Sequence, residues 1–201
     1  MTTLVAVQGD GFVVVGCDTR ISYTDESGVP YQIMSMASGT SKVALNGKYL
    51  LGAAGDMRAI NILHHVFQPP VPPPNTKGKK LDAFIANKFV PSLRSCFDSQ
   101  GYSPPDGKED KDHMAQHNSS VLVVVNKHIY LIDGDYSWTP DASGVYATGS
   151  GSMYALGALS SMIGTKKPQQ SQIKTAVLKA LQIASKFDPF TGAPFNTFIQ
   201  T

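Results

Sequence analysis

The chain has 201 residues, 42% of them hydrophobic and 16% charged, with a formal net charge of +2. This length reads as one domain spanning residues 1–201, able to bury a core without disulfide or metal staples, and the balance excludes wholesale disorder. The scattered charge excludes an electrostatic nucleic-acid binder; no run approaches about 18 apolar residues, so no membrane span is expected.

Leu4 to Val7 and Phe12 to Cys17 are β-rich runs around Gly9-Asp10-Gly11, which reads as a tight hairpin. Both runs are almost continuously apolar, the pattern of strands covered on both faces. A polar connection follows from Ser22 to Ser41. Val43-Ala44-Leu45 and Tyr49-Leu50-Leu51 then flank Asn46-Gly47, a strong hairpin signal. Asp56 can cap a helix running to about Phe67, ended by Pro69 and Pro70.

The proline-rich stretch 68–80 reads as a stiff connector. Leu81, Phe84, Ile85, Phe89, Leu93 and Phe97 follow helical spacing, with a kink at Pro91. Residues 103–118 read as a solvated loop. His113 and His117 stand four apart within it, without the flanking ligands that a metal site requires. Cys17 and Cys96 also lack ligand spacing and point to a reducing compartment, hence the cytoplasm. The N-terminus lacks the basic stretch and apolar core of a signal peptide. No metal or cofactor is expected.

Val121 to Val125 and His128 to Ile132 form a third hairpin around Asn126-Lys127. Val145 to Ala147 is a short strand leading into Gly149-Ser150-Gly151-Ser152. The segment from Met153 to Ile163 is apolar all round and is expected to be a buried helix ended by Gly164. A further helix carries Ile173, Val177, Leu181 and Ala184 on one stripe, with lysines opposite. Phe195 to Ile199 closes the chain as a strand. Strands in blocks followed by helices in blocks argue against a doubly wound parallel sheet. They predict an α+β fold, a four-layer αββα sandwich of two largely antiparallel sheets, each covered by a helix pair.

With a three-residue turn centred on Asp10, Gln8 faces Phe12 and Thr2 falls opposite Asp18, with Cβ atoms about 5 Å apart. An acid at the end of a buried apolar run is costly unless paired. Two readings follow. Asp18 either caps the strand and pairs with Arg20, or sits beside the Thr2 hydroxyl for chemistry.

The runs Thr2-Thr3-Leu4-Val5-Ala6, Asp10-Gly11-Phe12-Val13-Val14 and Asp18-Thr19-Arg20-Ile21-Ser22 resemble the opening of proteasome β subunits and their HslV-type relatives. The similarity continues through Lys42-Val43, Gly52-Ala53-Ala54-Gly55-Asp56 and Ala147-Thr148-Gly149-Ser150-Gly151-Ser152, and ends at Asp188 and Gly192. Each motif alone is weak; their order along nearly the whole chain is specific. The resemblance implies the N-terminal-nucleophile hydrolase fold and a threonine endopeptidase.

In that reading Met1 is removed and Thr2 Oγ attacks the scissile carbonyl, with the Thr2 α-amine as base. Lys42 lowers the amine pKa by its charge, Asp18 holds Lys42, and the Gly55 N–H receives the oxyanion. Ser150, Asp188 and Thr191 orient the amine. Ile21, Ser22, Ala53 and Met57 are candidates for the substrate pocket. The resemblance also implies a homo-oligomeric ring, peptide or unfolded-protein substrates and an ATP-dependent unfoldase partner.

Departures from the family pattern touch several of these residues. The Asn46-Gly47 turn is a residue or two tight, so the Lys42 assignment depends on where the gap falls. Thr191 stands where many relatives carry serine, and Cys17 replaces a small residue. The 103–118 loop has no counterpart. With only Met1 ahead of Thr2, the start is similar to the HslV-type arrangement. The competing readings are a catalytically silent ring subunit and a small-molecule amidohydrolase of the same fold.

Overall fold

A computed structural model describes residues 2–102, 117–163 and 168–201. In chain order the elements are β1 (Thr3–Gln8), β2 (Val13–Asp18), β3 (Arg20–Thr24), β4 (Pro30–Ser35), β5 (Val43–Asn46), β6 (Tyr49–Gly55) and α1 (Met57–His65). After an extended connector come α2 (Lys79–Phe84), a π-helical turn (Ile85–Phe89) and α3 (Val90–Ser99). The second half holds β7 (Ser119–Val125), β8 (His128–Ile132), β9 (Val145–Gly149), α4 (Ser152–Met162), α5 (Gln170–Phe187) and β10 (Phe195–Gln200).

The strands form two antiparallel four-stranded sheets, ordered β10-β2-β1-β9 and β5-β6-β7-β8. Side chains alternate across a strand, and here both faces are apolar. From β1, Leu4 and Ala6 point inward with Val13 and Val15, against Val43, Leu50, Leu122 and Val124 of the other sheet. Val5, Val7 and Val14 point outward onto α4 and α5, against Leu159, Ile173, Val177 and Leu181. On the far side Leu51, Val121 and Val123 pack under α1 and α3, against Leu63, Leu93 and Phe97. Helix pair, sheet, sheet, helix pair: the expected αββα sandwich is present. Each fully buried leucine contributes about 2 kcal/mol by leaving water.

The first hairpin corrects the sequence count by one residue. Gln8 pairs with Val13 and Leu4 with Cys17, so the turn holds Gly9–Phe12 and is closed by Gly9 N–H to Phe12 C=O at 2.8 Å. Phe12 leaves the strand because its ring packs against the outer core beneath α4 and α5. The next rung therefore brings Thr3, not Thr2, level with Asp18.

Other boundaries also differ. The Ser22–Ser41 stretch contains most of a two-stranded ribbon, β3 with β4, not a plain connection. The β5–β6 turn is Gly47-Lys48, since Asn46 pairs with Tyr49. The kink near Pro91 takes the form of the π-helical turn just before it, where a missing N–H is absorbed. The helix expected to be buried all round, α4, is not: Ala155 and Leu159 face the sheet, whereas Met153, Tyr154 and Leu156 are exposed. Gly164, and most of the 103–118 loop with His113, lie outside the described residues. Among the described residues no helix is long and apolar enough to cross a membrane.

Candidate active site

Asp18 ends β2 with its carboxylate fully buried. Oδ1 accepts from Thr3 N–H at 2.9 Å and from Lys42 Nζ at 2.8 Å. Oδ2 accepts from the backbone N–H of Arg20 at 3.1 Å and of Gly192 at 3.2 Å. Four donors compensate the desolvation that a buried carboxylate suffers.

Lys42 enters just before β5 and is equally buried. Its ammonium also donates to the Arg20 carbonyl at 2.6 Å. Burial pulls the Lys42 pKa below the ordinary lysine value, and Asp18 opposes that pull. The partner of Asp18 is thus Lys42, 24 residues away in sequence. The Arg20 guanidinium turns elsewhere, donating to the Pro189 carbonyl at 2.7 Å.

A second carboxylate, Asp188, stands at the C-cap of α5. Its Oδ2 accepts from Ser150 Oγ at 2.8 Å and from Thr191 Oγ1 at 2.5 Å, and its Oδ1 from Phe190 N–H at 3.2 Å. Thr191 Oγ1 also lies 2.5 Å from Thr3 Oγ1, which accepts from Gly151 N–H at 3.1 Å. The Gly-Ser-Gly turn has its physical reason here. A Cβ at Gly151 would lie 2.3 Å from Thr3 Oγ1 and 2.7 Å from Thr191 Oγ1. Only glycine lets these hydroxyls converge.

Thr2 is buried at the head of β1. Its carbonyl is pressed against Gly149, where a Cβ would come within 1.8 Å of the oxygen. Gly55 closes β6 with φ of +125°, and a Cβ there would meet the Asn118 carbonyl at 2.4 Å. The next N–H, that of Asp56, is held by Ser119 Oγ at 3.1 Å, and the hydroxyls of Tyr102 and Ser119 are 2.7 Å apart.

Of the expected site residues, Thr2, Asp18, Lys42, Asp188 and Thr191 are buried around the ends of β1, β2 and β9. Ser150 and Gly55 stand at the exposed rim of this group, just after β9 and at the end of β6. The substrate-pocket candidates scatter. A cleft of about 720 Å³ opens beside the edge strands β5 and β10, lined by Ile21, Thr40, Ala44, Ile60, Asn61 and His64 among others. Ile21 alone of the four candidates lines it. Ala53 is fully buried in the core under α1, Met57 packs against that core, and the Ser22 hydroxyl is buried with no partner among the described residues. Cys17 is core packing, its thiol 3.2 Å from Ser41 Oγ and pushed up in pKa by burial.

His117 is buried. Its ring packs against Phe97, Tyr102 and Tyr136, and its nitrogens find no partner among the described residues. No group of three or more His, Cys, Asp or Glu among those residues could hold a metal ion. Sequence reasoning missed Thr3 as a site member. The available signal was a second hydroxyl on a strand buried on both faces, which must find a partner.

Two sheets packed face to face between helix pairs make a fold of the HslV type, with a buried lysine and carboxylate here beside the head of β1. Solved structures of Thiobacillus denitrificans BPH share it, with a TM-score of 0.70 at 21% identity, and 0.69 at 17% identity in complex with epoxomicin. Each comparison covers 98% of this chain and 97% of the other. Eukaryotic HslV from Trypanosoma brucei gives a TM-score of 0.62 at 20% identity over 98% of both chains. In sequence, the chain is similar to the ATP-dependent protease subunit HslV of a Nitratiruptor species, with 24% identity over 193 residues, 95% of this chain and 92% of that one. No family model matches the chain.

Proposed function

We propose that the protein is a threonine-type endopeptidase whose nucleophile is Thr2, exposed as the N-terminus by removal of Met1. The observation that carries this reading is the buried Lys42–Asp18 pair, 2.8 Å apart, anchored one residue from Thr2.

A threonine hydroxyl needs a base to become nucleophilic. The freed Thr2 amine, with a reference pKa of about 7.7–8.0, suits that task at neutral pH. It takes the Oγ proton as Oγ bonds to the scissile carbonyl carbon. The electron pair displaced onto the carbonyl oxygen is received by the Gly55 N–H. The intermediate collapses, the amide C–N bond breaks, and the amine's proton goes to the leaving nitrogen. Water then hydrolyses the Thr2 ester by the same steps. Lys42 keeps positive charge beside the nucleophile, and Asp18 keeps Lys42 in place. Ser150, Asp188 and Thr191 orient the amine.

The likeness to an ATP-dependent protease subunit supports a working form that is a homo-oligomeric ring in the cytoplasm. Peptides or unfolded chains are its substrates, delivered by an ATP-driven unfoldase. A catalytically silent scaffold is disfavoured by the same buried pair, since apolar residues would stabilise a scaffold as well or better.

The test is intact mass of the purified protein with a peptide α′,β′-epoxyketone, which requires a hydroxyl and a free amine on one residue to close its ring. One adduct per chain at Thr2 of Met1-free protein is expected. Absence of an adduct from Met1-free protein, or full peptidase activity with Met1 retained, overturns the reading. Native mass spectrometry of the same sample tests the ring.

A further inference from the structure

We propose that Thr3 is a positioning residue for the nucleophile, setting Thr2 through its own backbone and hydroxyl; this rests on the assignment of Thr2 above. Thr3 is fully buried. It is also the residue that joins the two carboxylates of the site: its N–H donates to Asp18 Oδ1 at 2.9 Å, and its hydroxyl meets Thr191 Oγ1, which bonds Asp188.

The direction of every proton in this second branch is fixed by chemistry. The Asp188 carboxylate can only accept, so the Thr191 hydroxyl donates to it. Thr191 must then accept from Thr3, and the remaining acceptor capacity of Thr3 Oγ1 takes the Gly151 N–H, which can only donate. The chain runs one way, from Gly151 N–H through Thr3 and Thr191 to Asp188, where the Ser150 hydroxyl also ends.

This arrangement clamps the peptide plane between Thr2 and Thr3 on both edges. Its N–H is fixed by Asp18, and its carbonyl abuts Gly149 on the neighbouring strand, β9. With the plane fixed and the Thr3 side chain tied down, rotation about the bonds of Thr2 itself is what remains to be set. Valine would fill the same volume and satisfy the same strand, so packing alone does not call for a hydroxyl here. The hydroxyl serves the link between the glycine turn that carries Ser150 and the loop that carries Asp188 and Thr191. All three side chains are assigned to orienting the amine.

The test compares Thr3→Val and Thr3→Ser with wild type in the Met1-free, assembled protein, using peptide hydrolysis, thermal melting and epoxyketone labelling at Thr2. Thr3→Val is expected to lower kcat and the labelling rate about tenfold or more, with KM within about twofold, as for loss of alignment without loss of binding. Thr3→Ser keeps the hydroxyl and should restore kcat to within about threefold. If Thr3→Val fails to assemble, Thr3→Ala takes its place in the same comparison. Wild-type kcat without the hydroxyl, or equal loss in the Val (or Ala) and Ser variants, overturns the proposal while leaving Thr2 as nucleophile. A wild type that neither cleaves nor labels overturns both.

Discussion

Thr3 and Asp18 face each other across the first hairpin, joined by Thr3 N–H to Asp18 Oδ1 at 2.9 Å. That contact uses one carboxylate oxygen that Lys42 also binds. Geometry of the strand and charge at the site are therefore set by the same atom, and several consequences can be measured.

Asp18→Asn is expected to destabilise the fold by about 3–5 kcal/mol, because it strands a buried ammonium. Adding Lys42→Met should recover more than half of the loss. Chemical denaturation of both variants checks this; a double variant no more stable than the single would mean that the backbone donors to Asp18, not Lys42, dominate its effect.

Lys42→Ala should reduce the acylation rate by about 10²–10³-fold, the scale of losing a preorganised electrostatic group. The charge on Lys42 favours the neutral amine, so its removal moves the acid limb of the kcat/KM profile toward the reference range of about 7.7–8.0. The wild-type profile is expected to have a second limb. Burial lowers the Lys42 pKa, so activity should fall on the alkaline side before the ordinary lysine range is reached. Single-turnover rates across pH test both limbs.

His117 gives the fold an acid sensitivity unrelated to catalysis. Burial lowers its pKa from 6.5 to about 4. The unfolded chain therefore binds a proton that the folded one refuses between those values. Stability from this residue is full above the unfolded value of 6.5 and is lost as pH falls to about 4, by about 2 kcal/mol once nearby solvent is allowed for. His117→Phe should flatten that slope in denaturation measured from about pH 7 to 4; an unchanged slope would contradict the assignment.

Gly55→Ala places a Cβ at a backbone φ of +125° and 2.4 Å from the Asn118 carbonyl. Strain and clash together should cost about 3 kcal/mol or more. Folded Gly55→Ala protein is expected to bind peptide but acylate slowly, because relieving the clash with the Asn118 carbonyl shifts the Gly55 N–H proposed to receive the oxyanion. A thermal melt with a labelling time course separates the two losses.

The layered fold was legible because β1, β2 and β7 are apolar on both faces, which happens when a sheet is covered twice. The β3–β4 ribbon was not, because its large residues Tyr31 and Ile33 are exposed and its strands join neither sheet. The hairpin register failed on Phe12, whose ring packs locally instead of extending the strand; no pattern in the run distinguishes the two uses. Asp18 and Lys42 could be joined only through family resemblance, since 24 residues with no periodic relation separate them. Thr3 and Thr191, 188 residues apart, left no signal at all beyond the need of a buried hydroxyl for a partner.

The four donors on Asp18 come from residues 3, 20, 42 and 192. No stretch of the chain that stops short of Gly192 can complete that carboxylate's surroundings. A polypeptide still emerging from the ribosome, ending before α5 closes, lacks Asp188, Thr191 and Gly192 alike. Its Thr2 then lies near an acid short of a donor, and its Ser150 and Thr3 hydroxyls have no carboxylate to lead to. The surroundings of Asp18 and the hydroxyl chain to Asp188 are therefore completed only by residues near the end of the sequence, Asp188, Thr191 and Gly192.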